Sequence, residues 1–133
     1  MKPAATFVLI SLFTAAAAQA ATVDERLAEY RSQGAKNFSA QAGERLWNKE
    51  FTDARTGDRR SCATCHRANL AETGKHAETG KPIKPMKPAV NSERLSDAKK
   101  VEKWFLRNCK WTYGRECTAQ EKGDFIAYLT SIK

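Results

Sequence analysis

The feature that most constrains the fold of this sequence is a pair of cysteines followed at once by a histidine, Cys62-Ala63-Thr64-Cys65-His66. A C-x-x-C-H sequence is typical of covalent haem attachment. Two thiols three positions apart on a helical turn can reach the two vinyl groups along one edge of the ring. The next side chain then projects its imidazole toward the iron, as a proximal ligand does. We therefore expect a chain wrapped around one haem c, attached through Cys62 and Cys65 and ligated by His66.

Two other chemistries use closely spaced cysteines. A thioredoxin-like redox pair needs a βαβ setting, and this sequence shows no strand pattern. A structural zinc site would have to recruit Cys109 and Cys117. Because Cys65 and His66 are adjacent, both could not easily bind one tetrahedral ion alongside Cys62. Neither alternative accounts for the histidine as simply as haem attachment does.

The N-terminus has the features of a targeting segment. A positive start at Lys2 precedes an apolar run that is too short for a comfortable membrane span, and Ala18-Gln19-Ala20 is a small-x-small cleavage site. We predict that residues 1–20 are a signal peptide, that residues 21–133 form one domain, and that the protein is exported to the periplasm.

The composition is basic, with 23 Lys and Arg against 15 Asp and Glu and a formal net charge of +8. An exported chain without a nucleic-acid motif is not expected to bind nucleic acid. A basic surface steers a protein toward an acidic partner, although solubility alone also explains the charge. The lysines predicted to form a docking face are Lys81, Lys84, Lys87, Lys99, Lys100 and Lys103.

Hydrophobic periodicity predicts an all-α fold of about four short helices. We expect one helix over residues 22–33 and others starting near Ser39, Ser96 and Thr118, each start being a plausible N-cap. Residues 67–95 are rich in Gly and Pro and are expected to form a long loop without regular structure. So small a helical domain has a thin core, which a buried prosthetic group would strengthen.

The other two cysteines, Cys109 and Cys117, are separated by seven residues. In an oxidising compartment we expect them to be bonded to each other. Such a bond would fix the backbone beside Asn108.

The ligand that binds the iron on the side opposite His66 decides the function, and the residues alone do not identify that ligand. Met86 lies in the proline-rich loop and would make a closed, low-spin electron carrier. His76 lies in a polar turn and is more simply a solvent-exposed histidine. Asn108 precedes a cysteine and is otherwise interpreted as a helix C-terminal cap. The remaining possibility is no sixth ligand.

A longer stretch of sequence resembles a known family. Residues 99–109 read KKVEKWFLRNC, residues 114–118 read GRECT, and residues 61–66 read SCATCH. These segments are similar to those of the SHP family, which are oxygen-binding monohaem cytochromes c. The segments 43–47 and 125–129 also resemble the first and last helices of class I cytochromes c, where a glycine allows close helix contact.

The resemblance implies a role for Asn108. By position Asn108 would bind the oxidised iron and leave on reduction, opening a site for O2, NO or CO. It also implies a disulfide between Cys109 and Cys117 and reduction by another cytochrome, such as a dihaem cytochrome c. Met86 departs from the family pattern and keeps a His/Met electron carrier as the alternative. No distal acid–base pair favours an enzyme, and we expect a monomeric electron-transfer and ligand-binding protein.

Overall fold

The structure is a computed structural model that describes the backbone of residues 10–131 and the side chains of residues 14–131. Its described part is mostly helical, as predicted, with two small hairpins added. The helices are α1 (Ile10–Ser32), α2 (Ala40–Asn48), α3 (Cys62–His66), α4 (Ala98–Tyr113) and α5 (Ala119–Ser131). The strands are β1 (Phe51–Thr52), β2 (Arg59–Arg60), β3 (Gly74–Lys75) and β4 (Pro82–Ile83).

Both hairpins are antiparallel, and the second lies in the segment predicted as a long loop. Phe51 pairs with Arg60 in the first hairpin, and Gly74 pairs with Ile83 in the second. The expectation that residues 67–95 lack regular structure is therefore wrong for this second hairpin. Gly80 adopts a φ of +68°, which glycine adopts without strain and which lets the chain reverse before β4.

The crossing of α2 and α5 is the main helix contact, and it depends on a glycine. A Cβ atom on Gly43 would lie 2.1 Å from the backbone oxygen of Asp124, so only glycine lets the two helices approach this closely. One turn further along α2, the ring of Trp47 packs at 6.3 Å from that of Phe125 and 6.1 Å from that of Tyr128. The expected pairing of the first and last cytochrome helices is present.

Helix capping follows the sequence closely, with one correction. The Ser39 side chain accepts a hydrogen bond from the Ala42 amide at 3.1 Å, and Thr118 caps α5. The predicted cap at Ser96 is wrong, because α4 is capped by Asp97, which accepts from the Lys100 amide at 3.1 Å. A carboxylate at this position also interacts favourably with the positive end of the helix dipole.

Within the described residues, helix α1 covers Ile10–Ser32 and so extends well upstream of the predicted residue 22, because the intervening alanines have high helix propensity. The predicted signal-peptide boundary after residue 20 falls inside this helix, and residues 1–9 lie outside the described part. Within residues 10–131, no helix is both long and apolar enough to cross a membrane.

A buried polar cluster ties α1 and α5 to α4. The Tyr30 side chain is 1% exposed, and its hydroxyl donates a hydrogen bond to the carboxylate of Glu102. Lys122 on α5 contacts the other oxygen of the same carboxylate at 2.8 Å. Burial alone would raise the pKa of Glu102, but the bonds from Lys122 and Tyr30 outweigh it and lower the pKa. A charged Glu102 therefore fastens α4 to its two neighbours.

Candidate haem site

A cavity of about 760 Å³ lies between α3, the loop before α4, and α4 itself. Its volume is in the range of small-molecule and cofactor pockets. The macrocycle of a haem is apolar, and so is much of the lining. The apolar lining residues include Trp47, Leu95, Val101, Phe105, Phe125 and Leu129.

Helix α3 contains the C-x-x-C-H sequence and brings all three of its functional side chains to the cavity. Ser61 caps this short helix in a reciprocal capping box with Thr64. Both thiols are free, and burial raises the pKa of Cys62 to about 11, so it is a neutral thiol at pH 7. Gly74 lets its strand pack directly against α3, since a Cβ atom on Gly74 would lie 2.2 Å from the Cys65 carbonyl oxygen.

His66 is held as a neutral imidazole. Burial, and then the charges of Arg94 and His76, lower its pKa to about 4. Its buried Nδ1 has no hydrogen-bond partner within the described residues. The Trp47 ring lies 5.6 Å from the imidazole, and the Trp47 Nε1 donates to the Arg67 carbonyl at 2.8 Å, which fixes the end of α3. A neutral, buried imidazole is the form that binds iron.

Asn108 lies across the cavity on α4. The alternative of a helix C-cap at Asn108 is wrong, because α4 continues to Tyr113 and is capped by Gly114 at a φ of +67°. The side-chain amide of Asn108 makes no hydrogen bond to another described residue, so its side-chain carbonyl oxygen is available to bind a group in the cavity. The neighbouring Cys109 is bonded to Cys117, as predicted, with a Cα–Cα distance of 5.6 Å.

The other two candidate ligands also line the cavity. The Met86 amide donates to the Leu70 carbonyl at 2.9 Å, which ties this segment of the loop in place. His76 is half-buried rather than solvent-exposed, which corrects the simpler expectation. Its Nδ1 accepts hydrogen bonds from the amides of Glu78 and Thr79, at 3.2 and 3.3 Å. Asn108, Met86 and His76 therefore reach one cavity together.

Sequence reasoning missed Arg94, which also lines the cavity. Its Nε donates to the Pro85 carbonyl at 2.9 Å, and another guanidinium nitrogen contacts the Lys84 carbonyl at 2.6 Å. Burial lowers the pKa of Arg94, and no carboxylate lies within ion-pair distance of it among the described residues. A half-buried cation without an anion suits the carboxylate edge of a haem. No local motif marks this arginine.

Aromatic side chains of α4 form part of the cavity wall. Trp104, Phe105 and Trp111 line the cavity, whereas Tyr113 does not. Its hydroxyl instead lies 3.4 Å from the Cys62 Sγ and donates to the Leu46 carbonyl at 3.3 Å. The disulfide engages Cys109 and Cys117, so neither is available to a zinc site with Cys62. Free thiols, neutral imidazole, apolar walls and an unpaired cation together fit a haem c.

Residues 33–129 match the family described as Domain of unknown function (DUF1924). The chain belongs to the DUF1924 family. This DUF1924 chain is 41% identical over 87 residues to cytochrome c'' of Methylophilus methylotrophus, a match covering 65% of this chain and 60% of that protein. It is 37% identical over 108 residues to the cytochrome c-type protein SHP of Cereibacter sphaeroides, covering 79% and 80%. It therefore spans about three fifths of the cytochrome c'' chain and most of the SHP chain.

Solved structures agree with the sequence relatives. The crystal structure of oxidized cytochrome c'' superposes on the DUF1924 chain with a TM-score of 0.72 at 33% identity, covering 82% of this chain and 93% of that one. Oxidized SHP, described as an oxygen-binding cytochrome c, gives the same TM-score and identity over 82% and 96%. The predicted SHP resemblance, the helical cytochrome fold and the haem c cofactor are thereby confirmed.

Proposed function

We propose that this protein is an exported haem c redox protein whose site opens on reduction to bind a diatomic molecule. Cys62 and Cys65 would attach the ring, and His66 would ligate the iron. In the oxidised state Asn108 would supply a second protein ligand. The observation that carries the proposal is that these four side chains, from α3 and α4, line one cavity.

When bound, the haem supplies the one-electron change and the iron at which a small molecule such as O2, NO or CO can be held. The chain's own residues determine which groups face the iron on each side of the haem. A neutral His66 needs no proton loss before ligation, because its pKa lies well below neutrality. The carbonyl oxygen of Asn108 is a hard, uncharged donor, which suits oxidised iron better than the softer reduced iron.

If reduction releases Asn108, its side-chain amide would be available as a hydrogen-bond donor beside the iron. The amide NH2 has no other partner among the described residues, so it can turn toward a bound diatomic molecule. Polar donors on this face of a haem tune which ligand is retained. Arg94, which has no carboxylate partner of its own, balances charge at the ring edge.

The second candidate is a closed electron carrier ligated by His66 and Met86. The observation that favours it is that Met86 also lines the cavity, in a segment fixed by the Leu70 carbonyl and by Arg94. In that protein reduction would strengthen the sixth ligand instead of releasing it, because a thioether prefers reduced iron.

Visible absorption spectra of the purified holoprotein test the two candidates. We expect the reduced protein to be high-spin and its Soret band to shift on adding CO. Asn108→Ala should make the oxidised protein high-spin as well, whereas Met86→Leu should change neither spectrum. A reduced protein that stays low-spin and ignores CO, and loses this behaviour in Met86→Leu, would establish the closed carrier instead.

A further inference from the structure

One tryptophan of the cavity wall is contacted by both hairpins. The Trp111 indole Nε1 donates a hydrogen bond at 3.1 Å to the carboxylate of Glu78, which lies in the turn between β3 and β4. The Arg60 guanidinium, from β2, lies 4.4 Å from the centre of the Trp111 ring and donates to the Trp111 carbonyl at 3.2 Å. A cation over an indole face attracts the ring. Trp111 is therefore restrained through its ring nitrogen, its ring face and its backbone.

The arginine that supports this ring is itself fixed. The Arg60 side chain is buried and pairs with the buried carboxylate of Asp53 at 2.9 Å. The other oxygen of Asp53 accepts hydrogen bonds from the amides of Arg55 and Thr56, at 2.9 and 3.1 Å, in the turn of the first hairpin. Breaking a buried ion pair is costly because it leaves a charge uncompensated. Arg60 is therefore a rigid support for the indole.

Trp111 lies beside the proposed iron ligand of α4. Asn108 and Trp111 both line the cavity, and they are three positions apart, so they are neighbours on one face of the helix with Cβ atoms about 5–6 Å apart. Trp104, one turn before Asn108, also lines the cavity. Its ring contacts only the exposed side chains of Lys103 and Arg107, and its indole nitrogen makes no hydrogen bond to another described residue. Of the two rings that flank Asn108, Trp111 is the one that cannot easily move aside.

We propose that Trp111, held in place by Arg60 and Glu78, limits the size of the molecule that can replace Asn108 at the iron. The inference rests on the proposed function, because it concerns the position that Asn108 leaves on reduction. A molecule of two atoms occupies no more space than the side-chain amide that it replaces. A ligand with an alkyl tail extends beyond that space and meets the fixed ring. A restrained wall excludes such a ligand, whereas a mobile ring would yield to it.

The test compares two ligands on the reduced holoprotein, CO and n-butyl isocyanide. Both bind ferrous haem through a terminal carbon, but the isocyanide carries an alkyl tail. Each dissociation constant is measured by titration of the Soret band. We expect Trp111→Ala to strengthen isocyanide binding about tenfold or more and to change CO binding less than about threefold, because misfit of one small apolar group in a pocket changes binding by roughly 10–200-fold. Trp104→Ala, which removes the same ring on the other side of Asn108, should have a much smaller effect.

A second set of variants keeps the ring and changes only its support. Glu78→Ala removes the acceptor of the indole hydrogen bond and should strengthen isocyanide binding about threefold or more. Glu78→Gln keeps an acceptor oxygen and should bind both ligands as the wild type does. The matched control is Glu72→Ala, which removes an exposed carboxylate outside the cavity and should also leave both dissociation constants unchanged.

The ratio of the two dissociation constants decides the outcome. Equal ratios in wild type and Trp111→Ala would overturn the proposal, and so would a Trp104→Ala effect as large as that of Trp111→Ala. Equal ratios in Glu78→Ala and Glu78→Gln would also overturn it, and this comparison decides alone if Trp111→Ala does not retain its haem. A reduced wild-type protein that binds neither CO nor the isocyanide would instead refute the proposed function.

Discussion

Replacing Gly43 with alanine would test whether the α2–α5 crossing sets the geometry of the site. The added Cβ would meet the Asp124 carbonyl oxygen at 2.1 Å and the Tyr128 Cβ at 2.8 Å, whereas ordinary contact begins at 3.4 Å. Backbone atoms cannot rotate away, so the helices must separate by roughly an ångström or more at this point.

The expected loss of stability follows from two opposing effects. Overpacking a well-packed contact costs about 1–3 kcal/mol, and an unyielding backbone oxygen places this site near the upper end. Alanine also regains about 1 kcal/mol of helix propensity relative to glycine. A net loss of about 2 kcal/mol would lower the Tm of a domain of this size by roughly 6–10 °C.

The assay is thermal unfolding of the oxidised holoprotein, followed by far-UV circular dichroism and by the Soret band. Gln41→Ala on the same helix is the control, because Gln41 is exposed and the change adds no atom to the crossing. The Soret maximum should also move, since α2 carries Trp47 against His66. A Tm for Gly43→Ala equal to or above that of the wild type would refute the argument that this contact is close and rigid.

Three further predictions concern the ties around the cavity. Glu102→Gln should destabilise the holoprotein by about 1–3 kcal/mol at pH 7, because Lys122 loses a charged partner. The folded-state pKa of Glu102 lies below its usual 4.5, so the stabilisation by Glu102 is complete above pH 4.5 and is lost as the pH falls through the folded-state pKa. Equal Tm differences between Glu102→Gln and wild type at pH 7 and under strongly acidic conditions would contradict this. The double change Cys109→Ser/Cys117→Ser should cost about 2–3 kcal/mol in chemical denaturation, from loop closure alone. Arg94→Gln should lower the midpoint potential in a spectroelectrochemical titration while Arg94→Lys largely preserves it, and equal shifts in both would show that charge is not the cause.

Local signals in the sequence predicted much of this molecule. The C-x-x-C-H helix, the Ser39 and Thr118 caps and the disulfide each depend on residues a few positions apart, and all are present. The error at Ser96 is of the same local kind. Two acceptors stood side by side, and the carboxylate of Asp97 caps the helix instead of the hydroxyl.

Features that depend on distant segments were not predictable in this way. Arg94 is a cavity residue only because the loop before α4 folds back over α3, and no short pattern encodes that path. The end of α4 was missed for a different and local reason. Asn108 resembles a cap, but the helix continues past it to Tyr113 and is capped by Gly114 at a φ of +67°.

The way α4 is fastened has a consequence for how this fold diversifies. Glu102 anchors the helix before Asn108, and the disulfide at Cys109 anchors it immediately after. These two contacts hold the backbone at position 108 in place, so a mutation there changes the side chain without moving the helix. Substituting that one residue exchanges the donor atom offered to the cavity while every helix contact is kept. If Asn108 ligates the iron as proposed, a single-codon change at position 108 would exchange one iron ligand for another within the same fold.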